Sequence, residues 1–199
     1  MFIEKPATKR SFTKRKPVYG VGTNDAEYIT GYMDNGKLTI CPFYTKWVAM
    51  LQRCYDVKYS NKNPTYIGCY VCDDWLSFSW FKGWMENQDW QGKDLDKDIL
   101  NQGNKIYSPM NCLFVPKSIN TLLNIRRSKK GNLPYGVSKS KSNFTAQCSV
   151  NGKRTQLGSF ETAELAFERY KDFKYKLIAD VAKDQEEPLK SALLNYKVK

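Results

Sequence analysis

Residues 135–170 read YGVSKSKSNFTAQCSVNGKRTQLGSFETAELAFERY. Within this stretch the hydrophobic period changes once, and that change decides the fold. Phe144, Ala146, Cys148 and Val150 fall on one side of an extended chain, and Thr145, Gln147 and Ser149 fall on the other. This is the two-residue period of a strand. From 154 to 160, Thr155 and Leu157 alternate with Arg154 and Gln156 in the same way. Asn151-Gly152 lies between the two runs and supplies the positive φ angles that a tight hairpin turn demands. With Tyr135–Ser138 the run count is three. After Thr162, whose hydroxyl suits a helix N-cap, the period becomes helical: Leu165, Ala166, Tyr170, Phe173 and Leu177 share one side of a helix expected over 163–184. The expectation for residues 134–184 is therefore an α+β unit, a three-stranded sheet with one face against a helix. Its other face is polar and free of carboxylates, and a twisted sheet of this size can offer Arg and Gln to base edges in a major groove.

Charge extends this reading outward. The 199 residues carry a net charge of +12 and no histidine. Such a balance favours polyanions. The absence of histidine excludes Ser-His-Asp and Cys-His catalysis and His-ligated metal, and removes the usual general base at neutral pH. From Ile99 to Phe160 there is no Asp or Glu, while the same stretch holds Lys105, Lys117, Arg126, Arg127, Lys129, Lys130, Lys139, Lys141, Lys153 and Arg154. Carboxylates are excluded from surfaces that face phosphate because they repel it. Residues 126–133, RRSKKGNL, read as a basic linker. Residues 1–17, with six Lys and Arg against Glu4, read as a basic arm, either a solvated tail or a phosphate contact. Residues 185–199 read as a tail in which Pro188 interrupts the helical pattern and the last ten residues are either polar tail or a short helix.

Between arm and linker, residues 18–125 form a second module. Asp34-Asn35-Gly36 separates β-type runs at 27–33 and 37–40 and marks a hairpin. Trp47, Leu51, Cys54 and Tyr55 fit a helix over 44–58. Asp73 or Asp74 is placed to cap a second helix, reaching about residue 87, that carries Trp75, Phe78, Phe81, Trp84 and Met85. All five tryptophans lie between 47 and 90, at spacings typical of a core. A strand, a loop, a strand and a helix beginning at Pro116 follow over 92–125.

Two resemblances add to these readings. The pattern from Tyr135 to Tyr170 resembles the AP2 domain: Gly136-Val137 in the first strand, Leu157-Gly158-x-Phe160 closing the third, and Thr162-x-x-x-Ala166 opening the helix. It covers about residues 134–180. The resemblance implies a sheet face in the major groove, with Ser138, Ser140, Gln147, Ser149, Arg154 and Gln156 toward the bases and Lys139, Lys141 and Lys153 toward phosphates. The basic linker, with Arg126, Arg127, Lys129 and Lys130, is expected to follow the backbone.

The segment Leu95-Asp96-Lys97-Asp98, Tyr107-Ser108-Pro109-x-Asn111-Cys112-Leu113 and Asn120 resembles the HNH (ββα-type) core of phage endonucleases. The surrounding Trp47-x-x-Met50-Leu51-x-Arg53-Cys54-Tyr55, Val71-Cys72-x-x-Trp75 and Phe78-x-x-Phe81 resemble the frame of a phage and prophage family that includes homing-type enzymes. This resemblance implies catalytic roles for Asp96, Lys97, Asn111 and Asn120, with Mg²⁺ or Mn²⁺ held by Asp96, Asp98 and Asn120. It also implies double-stranded DNA as partner, inside a bacterial host cell. Lys97, however, stands where the HNH histidine deprotonates water. A lysine at its ordinary pKa is protonated at neutral pH, and the flanking Asp96 and Asp98 favour the charged form. Two readings stay open: metal-dependent phosphodiester cleavage, or an inactive scaffold acting as a DNA-binding regulator or host-takeover factor. A third is an interaction module whose basic face meets an acidic protein.

Cys69-x-x-Cys72, with Cys54 and Cys112, has the raw material of a zinc site. No second Cys-x-x-Cys exists and Cys112 lies in an apolar strand, so buried thiols are the expectation. No apolar run approaches a membrane span and residues 1–17 hold no apolar signal core, so a cytoplasmic protein with no membrane partner is expected.

Overall fold

The computed structural model describes residues 2–123, 133–150 and 152–198. The chain divides into two units, residues 1–116 and 117–199. The helix after Pro116 thus groups with the second unit, whereas the sequence places a boundary after 125.

The first unit begins with α1 (Lys9–Thr13), capped by the Thr8 hydroxyl accepting from the Ser11 amide at 3.2 Å. The basic arm is not a free tail. The Arg15 guanidinium donates to the carbonyls of Asn24, Ala26 and Tyr28 at 2.7–2.9 Å, and Pro6 bridges to Tyr28. Glu4 pairs with Lys82 at 2.7 Å. Carbonyls turned inward without a ladder partner require donors, and Arg15 supplies three. The expected hairpin is β1 (Gly31–Asp34) with β2 (Lys37–Ile40), turning at Asn35 and Gly36, whose φ values are 48° and 77°.

Helix α2 (Pro42–Tyr55) buries Trp47, Met50 and Leu51. The single helix expected over 44–58 is broken at Asp56. The Asp56 carboxylate accepts the amides of Lys58 and Tyr59 and starts a new helix, α3 (Val57–Lys62). The second expected helix is also two elements. A 3₁₀ turn (Asp73–Leu76) precedes α4 (Phe78–Glu86), and neither Asp73 nor Asp74 acts as a cap. Trp47, Trp75, Phe78, Phe81 and Met85 form the centre of the core, and the Trp47 indole N–H donates to the Trp75 carbonyl at 2.7 Å. A buried indole with its one donor satisfied is packing, not a ligand platform. Two short ribbons complete the unit. β3 (Tyr70–Val71) pairs parallel with β5 (Ile106–Tyr107), and β4 (Lys93–Asp96) pairs antiparallel with β6 (Leu113–Pro116).

The second unit starts with α5 (Lys117–Leu123), whose last carbonyl accepts from the Tyr196 hydroxyl at 3.0 Å. Strands β7 (Val137–Ser140), β8 (Asn143–Val150) and β9 (Lys153–Phe160) form one antiparallel sheet in the order β7-β8-β9. Helix α6 (Ala163–Ala182), capped by Thr162, packs on one face of it. Its buried line is Ala166, Tyr170, Lys174, Ile178 and Ala182. Leu165, expected on the apolar side, is 53 % exposed. Gly136 has φ +76°, and a Cβ there would lie 2.3 Å from the Tyr170 ring. Glycine is required at 136 by both backbone and packing. The C-terminal tail carries α7 (Leu189–Leu194), anchored by buried Leu193.

Candidate nucleic-acid interface

The sheet has two unlike faces, and the register defines them. Ala146 and Cys148 are buried toward α6. The alternate positions share the opposite face: Gln147 stands across from Gln156, Ser149 across from Arg154, and Thr145 between Ser138 and Ser159. Ser140 continues the row on β7. Gln156, Arg154 and Ser149 are exposed and Gln147 half-buried. No carboxylate occurs in any of the three strands. The face is therefore a band of hydroxyls and amides with one guanidinium at its edge.

Six sequence-derived base-facing candidates, Ser138, Ser140, Gln147, Ser149, Arg154 and Gln156, are brought onto this one surface. Lys139 and Lys153 occupy the other register, across from Phe144 and Val150, and Lys141 sits in the β7–β8 turn. All three are exposed, but the register places Lys139 and Lys153 on the helix side of the sheet and not on the polar face. Among the described residues none of Lys139, Lys141, Lys153 and Arg154 forms an ion pair, so these charges are available to solvent or a polyanion. Arg126, Arg127, Lys129 and Lys130 lie outside the described residues.

Ser159 is the member that simple alternation misses. A β-bulge between Ala146 and Gln147 puts Gln156 across from Gln147 but Gly158 across from Ala146, which turns Ser159 onto the polar face. Gly158, at φ +139°, was the available signal, since glycine inside a strand often marks a bulge.

The loop after β4 gathers the other candidates in a different way. The Asp96 Oδ1 accepts the amides of Asp98 and Ile99 at 2.7 and 2.8 Å. Burial raises its carboxyl above the ordinary range and outweighs those amides. Lys97 is only 3 % exposed. Its Nζ donates to Asp98 Oδ2 at 2.8 Å and to the Asn104 carbonyl at 2.7 Å. The Asn104 amide returns two bonds, to the carbonyls of Lys97 and Ile106. Lys97 is thus neither a solvent-facing phosphate contact nor an unengaged base. It is the clamp of its own loop. Asn111 is held by Asn101 at 3.2 Å and Ser108 at 2.9 Å. Asn120 lies on α5, in the other unit.

This donor set does not suit a divalent ion. One oxygen of Asp96 is committed to backbone amides, and Asp98 already neutralises an ammonium 2.8 Å away. A divalent cation on the same carboxylates would face that ammonium at a few ångströms, where like charges repel strongly. Among the described residues no three His, Cys, Asp or Glu side chains are grouped to hold a metal. Burial pushes the thiols of Cys54 and Cys112 up to about 12, so both are neutral, and all six cysteines are free.

The role of Arg53 was not legible in sequence. Its guanidinium donates to the Leu95 carbonyl at 3.1 Å and lies 5.8 Å from the centre of the Tyr66 ring. Burial disfavours its charge, but the neighbouring Tyr107 and Tyr66 more than offset this and raise its pKa. It braces β4 from α2. Among the described residues no helix is long and apolar enough to cross a membrane. Comparison with known proteins finds no match: no family model, no curated protein and no solved structure corresponds to this chain.

Proposed function

We propose that this chain is a double-stranded DNA-binding protein that reads a major groove with the β7–β9 face and does not cut. The carrying observation is the carboxylate-free band of Gln147, Gln156, Ser149 and Arg154. Gln pairs with adenine and Arg with guanine through two hydrogen bonds each, and hydroxyls serve either base. The sheet and helix of the second unit support the AP2-like reading. The antiparallel β4 and β6, followed in sequence by α5, support a scaffold related to the phage HNH endonucleases. Within that scaffold, buried Lys97 replaces the histidine and its ammonium neutralises Asp98, which favours the non-cleaving reading over the nuclease.

The test uses supercoiled plasmid and a labelled linear duplex, with and without Mg²⁺ or Mn²⁺, beside an Asp96→Ala variant. The expected result is retarded, uncut DNA, with affinity falling steeply as salt rises, by several units of log-log slope. Metal-dependent nicking that disappears in Asp96→Ala makes the protein a nuclease after all. Binding to neither DNA, joined to binding of an acidic protein, removes the DNA reading altogether.

A further inference from the structure

The first unit carries a cavity unlike the rest of this basic molecule. It measures about 440 Å³ and is lined by Asp74, Ser79, Trp80, Gly83, Trp84 and Pro109, over the buried Trp75. No lysine or arginine lines it. Trp80 is 65 % exposed and, among the described residues, stacks on no other ring. Trp84 forms the inner wall, packed 4.5 Å from Trp75 and stacked on Phe114. Asp74 stands at the rim, exposed, and among the described residues its side chain makes no hydrogen bond or ion pair. Asp73 is exposed beside it. Gly83 lies in the middle of α4, where glycine is less favourable than alanine. A Cβ at this position meets nothing within 4 Å, so packing does not demand the glycine. Its absence of a side chain leaves the indoles accessible.

We propose that this cavity receives an arginine side chain of a polypeptide partner. Indole faces attract cations through the negative face of the ring, and the attraction grows as water is excluded. The guanidinium suits the site better than an ammonium. It is planar, stacks on an indole, and presents a fork that matches one carboxylate with two parallel bonds. Trp80 supplies the open ring face, Trp84 the wall behind it and Asp74 the carboxylate. The charge argument also sets the occupant apart from nucleic acid: a base stacked on Trp80 would bring its phosphates toward Asp73 and Asp74, with no cation in the lining to receive them. On a chain of net charge +12 this is a place where an incoming positive charge is welcomed.

The experiment uses the full ¹⁵N-labelled chain, observing the five tryptophan indole N–H resonances while acetyl-Gly-Arg-Gly-amide is added. The expected result is a saturable shift of the Trp80 signal with millimolar affinity. The citrulline tripeptide, which keeps the shape and loses the charge, binds at least about fivefold more weakly, in line with about 1 kcal/mol for an exposed cation–π contact. Asp74→Asn weakens the arginine peptide by a similar factor, and Gly83→Leu abolishes the shift while the remaining indole signals keep their positions. Arg154→Ala leaves it unchanged, so the site stands or falls separately from the DNA face. The proposal is overturned if the arginine peptide leaves Trp80 unmoved, if citrulline binds as well as arginine, or if a short single-stranded oligonucleotide shifts Trp80 and the peptide does not.

Discussion

Among the described residues each unit buries one lysine, and the two are treated oppositely. Lys97, in the loop after β4, is met by the Asp98 carboxylate and the Asn104 carbonyl. Lys174, on α6 beneath the sheet, has the Cys148 thiol as its electrostatic neighbour and, among the described residues, pairs with no carboxylate. Burial lowers its pKa, with the Cys148 thiol countering only in part. A buried ammonium is tolerated either because the chain builds an anion and acceptors around it, or because its long stem packs while its charge is disfavoured. The first arrangement fixes a loop. The second carries a standing penalty, located under the surface assigned to DNA.

The contrast is sharpest for removal of the paired lysine. Lys97→Met orphans the inward Asn104 carbonyl and leaves Asp98 without its partner, and should destabilise the first unit by about 3 kcal/mol, measured by urea unfolding. A loss below about 1 kcal/mol would show that the clamp is ornamental. Arg154→Ala should leave unfolding unchanged while weakening DNA binding about tenfold, the size of one lost bidentate contact. Lys97→Met, assayed where it is folded, should bind DNA as the parent does, because its ammonium faces inward. A parallel loss of affinity in both variants would erase the distinction between inward and outward charge.

The unpaired lysine should respond with the opposite sign. Lys174→Met should stabilise the second unit by about 1 kcal/mol at neutral pH, since it keeps the stem and removes the disfavoured charge. Lowered in the folded state, Lys174 binds fewer protons folded than unfolded between its folded pKa and its ordinary value of 10.5. Its penalty is complete below the folded pKa and fades as pH rises toward 10.5. The advantage of Lys174→Met should therefore shrink with rising pH, the nearby Tyr170 and Cys148 cancelling because both proteins contain them.

The two lysines also mark where sequence reading fails. Lys174 sits at the fourth-residue spacing of Ala166, Tyr170 and Ile178, but a lysine there reads as a gap in the apolar side, while Leu165 near the start of the helix reads as core and is exposed. Turns were legible where backbone chemistry is unambiguous: Asn35-Gly36 specified its hairpin, and Thr162 its helix. The break at Asp56 was hidden because Tyr55 and Val57 continue an apolar pattern across it, and only the carboxylate's bonds to two amides reveal a restart. The basic arm misled for a similar reason. Composition places Arg15 in an arm that is either solvated or on phosphate, whereas three carbonyls of the following loop claim it. Of the candidate interface, the alternating positions were legible, and the bulge that adds Ser159 was signalled only by Gly158 inside the strand.

The parallel pairing of β3 with β5 has a consequence for how the chain acquires its shape. Tyr70 must meet Ile106 across a long intervening segment that itself folds into α4 and β4. No hairpin can make a parallel pair, and closing such a loop costs entropy before any contact repays it. The sheet of the second unit is built from neighbours in sequence, with β7, β8 and β9 joined by short turns. Low contact order favours rapid folding. Refolded from denaturant, the β7–β9 sheet is therefore expected to form before the β3–β5 pair closes.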